Sequence, residues 1–111
     1  MTDLTKQKCE ACTIDAPLVD KKRFTELLKD LDGWEIIYED INILSKTYLF
    51  DNYEDSVKFA TDIAKLAEDE DHHPSILIEW GSVRVQWWSH KIKGLHMNDF
   101  ICAAKTETLI N

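Results

Sequence analysis

The chain has 111 residues, enough for one small domain with a modest core, and its 44% hydrophobic content suits a folded protein. A net charge of −8 argues against phosphate backbones and anionic lipid as partners. No apolar run approaches the roughly 18 residues that would span a bilayer. The first stretch, "MTDLTKQKCEACTIDAP", lacks the apolar core of an export signal, so the cytoplasm is the expected location. With three glycines the chain has no Gly-rich phosphate loop.

Residues 1–17 read as an N-terminal arm and residues 18–111 as a single domain. The arm carries Cys9 and Cys12 in one CxxC; the third cysteine is Cys102. A structural zinc site usually needs a second pair, and a thioredoxin-like motif needs a strand before it and a helix after it. Neither pattern is present, so these cysteines are expected to be incidental thiols.

In "DKKRFTELLKDLDGW" the residues Phe24, Leu27, Leu28 and Leu31 fall at i, i+3, i+4 and i+7. That spacing predicts an amphipathic helix, with Asp20 as its N-cap and Gly33 as its stop. Residues 34–50 are rich in Ile, Tyr and Thr and break near Glu39-Asp40, which predicts two strands. A second helix follows from "DNYEDSVKFATDIAKLAEDED". Val57, Ala60, Ala64 and Ala67 are expected to line its buried face, widened by Phe59, Ile63 and Leu66. Pro74 forbids its continuation.

"SILIEW" and "VRVQWWSH" flank Gly81-Ser82, which suits a type II′ hairpin loop. That loop would pair Trp80 with Val83, Ile78 with Val85 and Ile76 with Trp87, all on one apolar face, and Glu79 with Arg84 on the other. A third helix runs to about Ile110, with Met97, Ile101, Ala104 and Thr108 on one stripe. The order α-β-β-α-β-β-α predicts an α+β domain: a four-stranded antiparallel sheet with three helices packed on one face.

Extending the hairpin places Ser75 opposite Trp88 and His73 opposite His90, so three of the four histidines share one corner with His72. The acidic run Glu68 to Asp71 sits at the end of the second helix, where the macrodipole disfavours carboxylates by about 0.3–1 kcal/mol each. Such a run is commonly a solvated helix end. Beside histidines it also favours the protonated imidazole, and an imidazole that holds or releases a proton near neutral pH suits acid–base chemistry. A zinc site drawn from His72, His73, His90 and Asp71 or Glu68 stays open as an alternative. Most tryptophans belong in the core; Trp88, on the less apolar face, is a candidate stacking surface for a ligand. His96 belongs at the start of the last helix.

Glu68, His72-His73-Pro74, Trp80, His90 and Asp99 recur at fixed spacings over 32 positions. This pattern resembles the signature of the pterin-4a-carbinolamine dehydratases. The likeness extends through Gly33-Trp34, "YLFDNYEDSVKFA" and "WWSHKIKGLHMNDFI", and its flanks look like the bacterial branch. The resemblance implies the same α+β layer and a hydro-lyase that removes water from a 4a-hydroxytetrahydropterin (4a-hydroxytetrahydrobiopterin dehydratase) to give the quinonoid dihydropterin. It implies recycling of the pterin cofactor of an aromatic amino acid hydroxylase, above all phenylalanine hydroxylase. It further implies no cofactor and no metal, and a homodimer or homotetramer. On this resemblance His72 and His90 are the acid–base groups and His73 positions the pterin. Glu68, Asp71 and Asp99 orient or tune the imidazoles, Trp34 and Trp88 touch the flat ring, and Pro74 and Ser89 complete the site. Two alternatives remain: a non-catalytic pterin-binding or dimerisation module, as animal members also serve a transcription factor, and a small His-ligated metalloprotein.

Overall fold

The computed structural model describes residues 4–6 and 17–110. Cys9 and Cys12 lie outside the described residues. Helix α1 spans Phe24–Leu28, strands β1 and β2 span Glu35–Glu39 and Ile41–Leu49, and helix α2 spans Tyr53–Glu70. Strands β3 and β4 span Ser75–Glu79 and Ser82–Trp87, and helix α3 spans Met97–Glu107. The four strands form one antiparallel sheet in the order β1-β2-β4-β3. The expected α+β architecture and element order are therefore present.

Local chemistry explains the boundaries. Asp20 accepts the Lys22 backbone N–H at 3.0 Å and starts a 3-10 turn, Lys21–Arg23, that leads into α1. Gly33 does not stop α1 as expected: the helix ends at Leu28 with Lys29 as its C-cap, and Gly33, at φ 83°, forms the left-handed turn that leads into β1. The break between β1 and β2 falls at Asp40, φ 67°, a residue type that tolerates this region. Asn52 caps α2 by accepting the Asp55 N–H at 2.7 Å, and Asp71 closes it in a left-handed conformation.

The core lies between the sheet and the helices. Leu44, Tyr48, Val83, Val85 and Trp87 face it from the central strands, and Leu31, Ile63, Leu95 and Phe100 meet them. Leu4, in a short 3-10 turn at Leu4–Lys6, is also buried in this core.

Three further expectations are corrected. The β3–β4 loop is Trp80-Gly81, not Gly81-Ser82, so Ile78 pairs with Val83, Ile76 with Val85, Leu77 with Arg84 and Glu79 with Ser82. The left-handed φ of 79° falls on Gly81 as second loop residue, the position that needs it in a type II turn. The Phe50 backbone N–H reaches Gly81 O at 2.8 Å and holds the loop against the end of β2. Because the shift is two residues, every side chain keeps its face, but Trp80 leaves the sheet and is 74% exposed.

The buried face of α2 is Ser56, Phe59, Ala60, Ile63 and Ala67, while Val57 and Ala64 are exposed. The helix turns its bulkiest apolar groups inward, and the Phe59 ring packs 4.6 Å from Tyr48 and 5.4 Å from Phe50. Finally, α3 shows no single stripe. Residues 98–104 are all buried, because β2, β4, α2 and the Leu4–Lys6 turn all pack around this helix. It also ends at Glu107, before Ile110, with Thr108 as its C-cap.

Candidate active site

The observed pairing of Ser75 with Gln86 means that the chain just before β3 runs beside the chain just after β4. The segment His72-His73-Pro74 therefore lies alongside Trp87, Trp88 and Ser89. The literal extension to a His73–His90 pair fails with the two-residue shift in register, and His90 instead sits in a turn closed by the Ser89–Gly94 bridge. The corner itself is retained.

Its centre is buried. His72 is 5% exposed, and its Nε2 lies 2.6 Å from Asp99 Oδ1. The ring stacks on Trp87, with centroids 5.6 Å apart and planes 12° from parallel. A backbone bond from His72 N to Ala67 O, 3.1 Å, ties the residue to the last turn of α2. Asp99 is fully buried, and its Oδ2 accepts the Ser89 hydroxyl at 2.8 Å and the His96 backbone N–H at 2.9 Å.

That last bond is half of a capping box at the start of α3. His96 is the N-cap, as its position predicts, and its Nδ1 accepts the Asn98 backbone N–H at 2.9 Å. The carboxylate that secures the helix start is thus the one that holds His72. Sequence reading placed His96 outside the site, yet its main chain braces the site's carboxylate.

The other two histidines are exposed. His73 Nε2 is 2.9 Å from Glu68 Oε2, in a pair open to solvent. The His90 ring lies 4.5 Å from half-buried Trp88, tilted by 42°. One buried, braced imidazole and two accessible ones therefore occupy the same end of the sheet. Pro74 is half-buried between His73 and β3.

The remaining candidates are placed differently. Asp71 is exposed and forms the left-handed end of α2. Glu70, from the same acidic run, is joined to Lys105 of α3 in an ion pair. Trp34 is buried, and its indole N–H donates to Glu107 Oε1 at 2.7 Å. Glu107 and Asp99 are eight residues apart on α3, about 12 Å at the helical rise.

Lys46 Nζ and Tyr48 OH also donate to Glu107 Oε1, at 2.5 and 2.8 Å. Burial, and then the hydrogen bond and charge of Glu107, push the Tyr48 phenol well above its ordinary range. No local pattern signals this cluster, because Glu107 lies 59–73 residues along the chain from its three donors. A cavity of about 250 Å³ opens away from the histidines, lined by Phe50, Phe59, Ile110 and the charged Asp55, Lys58 and Asp62. Among the described residues no three His, Cys, Asp or Glu side chains converge as a metal-binding set. No described helix is long and apolar enough to cross a membrane.

Comparison with known proteins bears on this corner. The profile of the family described as pterin 4 alpha carbinolamine dehydratase matches residues 17–109. A Vibrio vulnificus (strain YJ016) relative assigned as a pterin-4-alpha-carbinolamine dehydratase is 53% identical over 108 residues, covering 96% of this chain and 98% of that protein. A Vibrio cholerae relative with the same assignment is 51% identical over 107 residues, with the same coverage. Among solved structures, a transcriptional coactivator/pterin dehydratase from Brucella melitensis superposes with a TM-score of 0.79 at 23% identity, covering 86% of this chain and all of that one. A pterin dehydratase-like protein identified as a RuBisCO assembly factor in the alpha-carboxysome superposes with a TM-score of 0.60 at 20% identity, covering 72% and 92%.

Proposed function

Because the chain belongs to the pterin-4-alpha-carbinolamine dehydratase family, we propose that it removes water from a 4a-hydroxytetrahydropterin at the histidine corner. The RuBisCO assembly factor has the fold under another use, so the fold alone does not fix the activity. The observation that carries the reading is the buried Asp99–His72 pair, set beside two solvent-facing histidines in the same chain segment order as the family signature.

The chemistry needs two proton transfers. The C4a–O bond breaks with its electron pair going to oxygen, which takes a proton from an imidazolium and leaves as water. A ring N–H gives its proton to a neutral imidazole as the C=N bond forms, and the product is the quinonoid dihydropterin. His72 and His90 carry these transfers, and His73, aimed by Glu68, positions the pterin. Trp88, packed on His90 and half-buried, offers a ring face to the substrate. The product returns to an aromatic amino acid hydroxylase, above all phenylalanine hydroxylase, in the cytoplasm. Exposed apolar side chains such as Tyr38, Leu49 and Trp80 suit a homo-oligomer.

The test is direct carbinolamine dehydration by the wild type and by a His72→Ala/His90→Ala double variant. The wild type is expected to exceed the buffer rate and the double variant to fall to it. Equal rates in the two proteins would overturn the assignment.

A further inference from the structure

We propose that Ser89 is a positioning residue. Acting through Asp99, it holds the His72 ring as its Nε2–H tautomer, so that Nδ1 is the nitrogen that exchanges a proton with substrate. The inference rests on the dehydration reading above and adds to it the atom that reacts and the side chain that selects it.

The geometry around Asp99 carries the first half. An ionised carboxylate can only accept hydrogen bonds. Oδ2 takes the Ser89 hydroxyl at 2.8 Å and the His96 backbone N–H at 2.9 Å, and a backbone N–H cannot reverse its role. Two donors on one oxygen fix the rotation of the carboxylate and leave Oδ1 for His72 Nε2, 2.6 Å away. The proton in that contact then belongs to Nε2. Ser89 and Asp99 are both fully buried, so water does not compete for these bonds.

The second half comes from the other nitrogen. Among the described residues no protein group bonds His72 Nδ1. Yet among the described residues no buried side-chain nitrogen or oxygen lacks a hydrogen-bond partner. Nδ1 must therefore sit at the small opening through which this 5% exposed residue meets solvent. Trp87 holds the plane of the ring, and a flip within that plane would put a carbon in place of Nε2 against Asp99 Oδ1 and lose that bond, so the ring keeps its orientation. The imidazole can gain and lose a proton at Nδ1 without moving.

Written with His72 as the base, Nδ1 takes the proton released from the pterin ring nitrogen as the C=N bond forms. The departing oxygen takes its proton from the second imidazolium and leaves as water. Both histidines return to their starting charge by exchange with solvent, so atoms and charge balance.

The experiment combines spectroscopy with kinetics on the whole chain. Long-range proton–nitrogen correlation on ¹⁵N-histidine protein, at a pH where imidazoles are neutral, reads the tautomer of His72 directly. The wild type is expected to show a protonated Nε2 and a bare Nδ1. Ser89→Ala is expected to convert this into a mixture and to lower kcat by about 10- to 100-fold with little change in KM, since the fault is one of orientation. Ser89→Thr keeps the hydroxyl and is expected to restore both readouts. A wild-type His72 protonated on Nδ1 would overturn the proposal, and that measurement needs no variant to fold. So would a Ser89→Ala protein with wild-type kcat and an unchanged His72 spectrum. A wild type with the expected spectrum but no dehydration rate would sink the dehydratase reading while supporting the Ser89–Asp99–His72 arrangement.

Discussion

His72 and Trp87 pack ring on ring, 5.6 Å between centroids and 12° from parallel, and Trp87 is fully buried beneath. The tryptophan is at once a core residue of β4 and the floor of the histidine corner. Its indole N–H also donates to Thr106 Oγ1 at 3.2 Å, which links β4 to α3. Trp87→Ala is expected to cost about 3–5 kcal/mol, the range for emptying a large aromatic site. Trp87→Phe keeps a ring under His72 and should cost less. Urea unfolding of both variants checks this: equal midpoints for the two would show that the ring contact contributes nothing.

The Glu107 cluster predicts an effect on stability at the other end of α3. Its Oε1 is shared by the Trp34, Lys46 and Tyr48 donors, and the Lys46 ammonium also lies 4.6 Å over the Tyr48 ring. Replacing Glu107 by Ala strands these donors in a part-buried setting. A loss of about 1–3 kcal/mol is expected, the usual cost of unpartnered buried polar groups. Thermal unfolding of Glu107→Ala measures it, and an unchanged Tm would mean that water replaces the carboxylate without cost.

Tyr48 adds a pH signature to the same cluster. The fold raises the pKa of this acid, chiefly by burying it, so folding favours the neutral phenol. The resulting stability is fully present below the ordinary phenol value of about 10 and is lost as pH rises above it through the folded value. Stability of the wild type should therefore decline above about pH 10, and Tyr48→Phe should decline less steeply over that window. Denaturant midpoints at pH 8 to 11 give the comparison, and parallel slopes would contradict it.

His73 and Glu68 form a pair of another kind. Both side chains are largely exposed, 57% and 78%, so their contact should add little to stability, roughly 0–1 kcal/mol. Its expected value lies in aiming His73. Glu68→Gln should leave the unfolding midpoint nearly unchanged and raise KM for the carbinolamine several-fold while kcat stays close to wild type. A fall in kcat with KM constant would move His73 from binding to proton transfer.

Element order and several boundaries were legible because single residues mark them: Asp20 before the first helical turn, Asp40 at the strand break, Pro74 after α2; the end of α1 at Leu28, five residues before Gly33, was not. The hairpin register was not. Placing Gly81 first or second in the loop shifts β3 by two residues, and a shift of two preserves the apolar alternation on which the choice was based. A positive φ at Gly81 suits either placement; the Phe50 N–H that holds Gly81 O comes from the end of β2 and is not part of the hairpin's own sequence. The site divides the same way. His72, His73 and Glu68 are sequence neighbours, and the corner followed from the topology. The link from His72 to Asp99 spans 27 residues and was legible only through a motif, and the convergence of Trp34 on Glu107 spans 73 and left no local trace.

Asp71 offers a prediction in the stabilising direction. It ends α2 at φ 50° and ψ 43°, where a Cβ is strained, and it places a carboxylate at the negative end of the helix dipole. Glycine removes both penalties. Its larger conformational entropy in the unfolded chain opposes the gain by roughly 0.5–1 kcal/mol. The strain relief of about 1–2 kcal/mol and the dipole term together exceed that cost. Asp71→Gly should thus raise stability by about 1 kcal/mol, which corresponds to roughly 4–8 °C in Tm for a domain of this size. Asp71→Asn separates the two contributions, because it removes the charge and keeps the side chain. It should recover only the dipole part, about 0.3–1 kcal/mol. Calorimetry on the three proteins orders them, with Gly expected above Asn and Asn above Asp. A glycine variant that melts below wild type would mean that the Asp71 side chain makes a stabilising contact at this helix end.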